Sequence, residues 1–124
     1  MPLKLSLKPG ETFIVNGAVV RNGDRRGVLL LENRARVLRE KDIMQPEEAD
    51  TPVKRAYFSI MQMYLLGESE GPQYDETCAA LADLAPEQPA LAVTLSREVA
   101  CGNLYKALSR CRRALTLEPE PVHA

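Results

Sequence analysis

Arginine is the residue type in this chain whose number and spacing could do chemistry: Arg21, Arg25 and Arg26 fall close together, and Arg34, Arg36, Arg39 and Lys41 crowd the stretch that follows. Guanidinium groups fork onto phosphates and stack on unpaired bases, so a surface carrying them suits single-stranded or looped RNA, with marked dependence on salt. The competing reading is that the same charges solvate an exposed sheet face, protect an edge strand or pair with acids elsewhere in the chain. On charge pattern alone that reading carries more weight, because Phe13 is the sole aromatic among residues 1–45.

Other chemistries find less support. A hydrolytic or transfer site needs a nucleophile with an orienting base, and the sole histidine, His123, is next to last in the chain. Cys78, Cys101 and Cys111 are an odd set without CxxC spacing, read as small buried hydrophobes of a reduced, cytoplasmic protein. No His/Cys/Asp/Glu cluster has metal-ligand spacing, and the glycines fit neither a P-loop nor a dinucleotide fingerprint. Glu47 and Glu48 stand in the first turn of a short helix after Pro46, where negative charge suits the helix dipole. The expectation is a protein without catalysis, cofactor or metal.

The elements that must position the arginines follow from patterning. Leu3, Leu5 and Leu7 alternate with Lys4, Ser6 and Lys8 as in a half-buried strand closed by Pro9-Gly10. Asn16-Gly17 between Thr12–Val15 and Ala18–Arg21 predicts a tight hairpin, and Asn22-Gly23-Asp24 another turn. Val28–Leu31 reads as the most buried strand; Arg34–Leu38 alternates until Leu38-Arg39, where it ends or bulges. No gap before residue 40 could hold a crossover helix, so the strands are antiparallel, and a compact sheet would bring the two arginine groups close.

After Met44 the period changes. Asp50-Thr51-Pro52 starts a helix running to Gly67, with Tyr57, Met61 and Tyr64 on one stripe that is core or, where exposed, a partner or dimer contact. A second helix carries Tyr74, Cys78, Leu81 and Leu84 and stops before Pro86. Residues 89–117 form one long helix or two broken near Gly102-Asn103. The fold class is α+β: a small N-terminal antiparallel β-sheet or barrel followed by a C-terminal bundle of three to four helices.

Length and charge agree with that division. The chain has 124 residues, 45% hydrophobic and 27% charged, the size of one domain. Its formal net charge of −1 hides a partition, with nine bases against five acids in residues 1–45 and seven against twelve in residues 46–124. The reading is a basic β lobe over 1–45, an acidic helical lobe over 46–118 and a disordered tail over 119–124. The first residues lack the apolar core of a signal peptide, and no apolar run reaches membrane-spanning length.

The strings LKLSLKPGE at Leu3–Glu11, FIVNGAV at Phe13–Val19, NGDRR at Asn22–Arg26, VLREKDIMQPEEADTP at Val37–Pro52 and YFSIMQMYL at Tyr57–Leu65 resemble the FlbT flagellin regulators of α-proteobacteria, over essentially the whole chain. The resemblance implies a small cytoplasmic post-transcriptional repressor that associates with the 5′ untranslated leader of flagellin mRNA and lowers its translation or lifetime, without nuclease chemistry of its own. It raises the weight of an RNA-contacting role for Arg21, Arg25, Arg26, Arg34, Arg36, Arg39 and Lys41. In the alternative reading the helices are the working surface of an adaptor or chaperone that binds flagellin, a flagellar export partner or another flagellar regulatory protein.

Overall fold

The computed structural model describes residues 3–67 and 71–117; the expected disordered tail and His123 lie outside them. The architecture is α+β, with five short strands followed by four helices: β1 (Leu3–Leu7), β2 (Thr12–Val15), β3 (Ala18–Arg21), β4 (Gly27–Leu31), β5 (Val37–Arg39), α1 (Pro52–Leu66), α2 (Pro72–Leu84), α3 (Pro89–Ala100) and α4 (Leu104–Leu117). Single turns of 3-10 helix at Glu40–Asp42 and Pro46–Glu48 join the two parts.

The strands build two small antiparallel sheets and no closed barrel. One is the pair β1-β4; the other has the order β3-β2-β5. Asn16-Gly17 makes the expected two-residue hairpin, with φ of 49° and 84° at the two positions and Val15 opposite Ala18, the backbone that Asn-Gly adopts most readily. Two expectations change. The last strand begins at Val37 and includes Arg39, because pairing with β2 (Val15 opposite Val37, Phe13 opposite Arg39) sets its limits, not the local alternation. The apolar run Val28–Leu31 is not the most buried strand. β4 packs one face, Leu29 and Leu31, on the core and leaves the other open, so Val28 and Leu30 are each 57% exposed. The central strand β2 is the buried one, with Phe13 and Ile14 covered on opposite faces.

The first compact unit spans Met1–Ile43 with Leu65–Gly67, and its core gathers Leu5, Leu7 and Phe13 against Val15, Leu29, Leu31 and Val37. The second unit spans Met44–Tyr64 and Glu68–Ala124. Three of its helices start where the sequence forbids helix upstream: Pro52, Pro72 and Pro89 each occupy the first position of α1, α2 and α3, where a missing N–H costs nothing. Thr51 Oγ1 accepts from the Lys54 amide at 3.2 Å as the cap of α1. Residues 89–117 are two helices, broken where Gly102 takes φ 79° and its amide and that of Asn103 donate back to Val99 O (3.1 Å) and Glu98 O (2.8 Å). α2 packs on α3 and α3 on α4, burying Leu81, Leu84, Leu95, Val99, Leu104, Leu108 and Cys111. Only Cys111 meets the expectation of a buried thiol; Cys78 and Cys101 are exposed.

Candidate nucleic-acid interface

The β3–β4 connection is held by one side chain. Asn22 Nδ2 donates to Lys8 O at 2.8 Å and to Arg25 O at 2.9 Å, and its backbone amide donates to Glu11 O at 2.8 Å. The Gly10 amide donates to Gly23 O at 2.9 Å, so the β1–β2 turn and the β3–β4 turn lie against each other. Arg21 leaves the end of β3 beside this junction, and Arg25 and Arg26 follow within it. All three are exposed, and no described residue forms an ion pair with any of them. Lys8, also exposed, belongs to the same cluster. Sequence reasoning missed it, since its signal is a contact between two turns fourteen residues apart.

The remaining bases do not join this cluster. Arg39 is consumed within the unit: its Nε donates to Glu11 Oε2 at 2.9 Å, and its Nη2 to Glu11 Oε1 at 3.0 Å and Ser6 O at 2.7 Å. Glu11, 8% exposed, also accepts from the Lys8 amide at 3.0 Å; that bond, then Arg39, holds its carboxyl below the usual carboxylate value. Arg39 thus ties β1 and the turn after it to β5, and its fork is not available to a phosphate.

Arg36 is half-buried and fastened at the other end of the hairpin. Its amide donates to Asn16 Oδ1 at 2.9 Å, the Asn16 amide returns a bond to Arg36 O at 2.8 Å, and its guanidinium lies so close to Gly67 that a Cβ there would stand 2.8 Å from Cζ. Arg34 is exposed in the preceding loop. The three residue steps from Val15 to Thr12 put about 10 Å of strand between the hairpin tip and Arg21. Arg34 and Arg36 are therefore at the opposite end of the hairpin from Arg21, and Arg39, though near Arg21, is engaged by Glu11, so the two arginine groups do not form one patch. Lys41 is exposed between Glu40 and Asp42, which offset its charge.

Phe13 is 2% exposed, so it offers no face for a base. The cluster of Lys8, Arg21, Arg25 and Arg26, with Asp24 as the acid in its loop, can contact phosphates and stack through guanidinium planes alone. Of the tyrosine and methionine stripe, Tyr57 and Met61 are 2% and 3% exposed and cannot reach a partner. Tyr64 sits with its ring 5.8 Å from that of Tyr105, over which the Arg112 guanidinium lies at 5.5 Å. Among the described residues no three His, Cys, Asp or Glu side chains converge to hold a metal ion, and no helix is long and apolar enough to cross a membrane.

Residues 3–122 match the family model described as flagellar protein FlbT. The chain is 49% identical to the "Probable flagellum biosynthesis repressor protein FlbT" of Caulobacter sp. strain K31, covering 97% of this chain and 95% of the relative. It is 47% identical to the "Flagellum biosynthesis repressor protein FlbT" of Caulobacter vibrioides strain CB 15, over 97% and 89%. The probable repressor of Rhodopseudomonas palustris strain TIE-1 is 37% identical, over 97% of each. No solved structure matches the chain.

Proposed function

The chain belongs to the FlbT family, and on that premise we propose that it is a cytoplasmic repressor of flagellum biosynthesis that acts after transcription, by holding the 5′ untranslated leader of flagellin mRNA. The observation that carries the RNA step is the turn cluster: Lys8, Arg21, Arg25 and Arg26 stand exposed, and without ion pairs among the described residues, on a junction fixed by Asn22, while the buried acid beside them is already neutralised by Arg39. A pre-formed set of cations on a pinned backbone loses little freedom when it meets a phosphate chain. Repression then follows from occupying the leader, which lowers ribosome access and leaves the message to cellular ribonucleases.

The test is a binding titration of the purified protein against flagellin leader RNA at several salt concentrations. Four phosphate contacts to a single strand give a slope of log affinity against log salt of about −3. R25A/R26A removes two contacts and brings the slope to about half that value. Unchanged RNA affinity and slope in R25A/R26A, with stoichiometric binding of flagellin instead, would establish the adaptor reading in its place.

A further inference from the structure

α4 is a cationic helix inside the more acidic half of the chain. Lys106, Arg110, Arg112 and Arg113 are its charged residues, and it contains no acid. Lys106, Arg110, Arg113 and Leu117 recur at spacings of four, three and four, which places them on one face. That face borders a groove of about 270 Å³ between α3 and α4 whose floor is Ala90, Leu91, Thr94 and Ala114 and whose end is Leu117, 81% exposed. Arg110 Nε donates to the buried carboxylate of Glu98, whereas Lys106 and Arg113 are exposed and have no ion pair among the described residues. An open apolar floor rimmed by cations is a poor match for a phosphate chain and a good one for a helix that lays small residues on the floor and acids along the rim.

A helix of matching character is present in the same chain. α2 has Asp75, Glu76 and Asp83 and no base. Its outer face repeats the spacing of α4, with Pro72, Glu76, Ala79 and Asp83 at intervals of four, three and four, all exposed. Glu76 and Asp83 are seven residues apart, as are Lys106 and Arg113, so both pairs of charges span about 10 Å of helix. Ala79 between the two acids lets a second helix approach closely.

We propose that the groove between α3 and α4 is a self-association site that receives α2 of a second copy of this chain, with Glu76 and Asp83 of the incoming helix against Lys106 and Arg113. Two copies that exchange α2 in both directions close on a two-fold axis, while one-way docking extends into a chain. The contact is electrostatic at its rim and apolar on its floor, so it strengthens at low salt.

The experiment is sedimentation of the full chain over a wide concentration range, for wild type, K106E/R113E and E76K/D83K. Wild type associates with rising concentration, and each variant alone, now facing like charge with like, associates at least about tenfold more weakly. An equimolar mixture of the two variants restores association, because each reversed face meets its complement. A wild type that stays monomeric throughout overturns the proposal, as does association that both reversals leave intact or a mixture that fails to recover. Loss of leader-RNA affinity in K106E/R113E with no wild-type self-association would give the stripe to nucleic acid and overturn it too. Neither result depends on the Arg25/Arg26 cluster, so the RNA reading stands or falls separately.

Discussion

Glu11 and Glu98 are the buried acids among the described residues, and each is held by an arginine, Arg39 and Arg110. For Glu11 the consequence can be read against pH. Its carboxyl is held below the ordinary 4.5, first by the Lys8 amide and then by Arg39. A depressed carboxyl contributes stability that is complete above about pH 4.5 and is lost as pH falls through the lowered folded value. R39A removes the second cause and moves that value back up. Stability at pH 7 should fall, and the acid-unfolding midpoint followed by circular dichroism should rise; an R39A midpoint coincident with wild type would show that the pair contributes nothing. The thiols provide a second residue-scale test. Burial pushes Cys111 up to about 12, while Cys78 and Cys101 are exposed. A thiol reagent at neutral pH should modify two cysteines of the native protein and the third only in denaturant. Rapid labelling of three would mean that the packing of α4 on its neighbours does not close over Cys111. Three cysteines in helix-rich sequence were legible as apolar residues, but Cys101 falls in the turn that ends α3, and whether Cys78 or Cys111 is covered depends on which helix packs opposite.

At the scale of elements, the sequence was most readable where a residue type has one good backbone solution. Asn16-Gly17, Pro52, Pro72, Pro89 and Gly102 all punctuate the chain where patterning places them. Gly102 lends itself to a sharp test, because a Cβ there would meet nothing within 4 Å and its φ is 79°. G102A should cost about 1–2 kcal/mol from the left-handed backbone alone. Gly23 also has open space but no left-handed φ, so G23A should be neutral or stabilising by up to about 1 kcal/mol. Urea unfolding of the two variants checks both signs; equal effects would remove the backbone explanation. Less was legible where pairing partners decide. Four apolar residues in a row at Val28–Leu31 do not reveal that β4 has one neighbour and an open face, and alternation over 34–38 cannot announce that β2 selects residues 37–39. Lys8 joined the basic cluster through a turn-to-turn contact that local patterning does not encode. Summing charge over residues 46–124 likewise hid α4, whose four bases are outweighed by acids elsewhere in that half.

For the whole molecule the question is whether net charge or its placement governs an encounter with RNA. At a formal net charge of −1 the chain as a whole gives a polyanion no attraction, so any affinity must come from local fields, which salt confines to about 8 Å at physiological ionic strength. R25E/R26E and K106E/R113E each reverse two bases, and both carry the same formal net charge, four units more negative than wild type. If net charge controlled binding, the two variants would lose leader-RNA affinity equally. If the pinned turn cluster controls it, R25E/R26E should lose at least about a hundredfold, since two phosphate contacts become two repulsions, while K106E/R113E stays within a few-fold of wild type. Filter binding at one fixed salt concentration separates the cases. Equal losses would remove the turn cluster from its role and make the partition of charge along the chain a property of total electrostatics. Unequal losses in the expected order would assign RNA contact to the β3–β4 turn and leave the α4 stripe free for another partner.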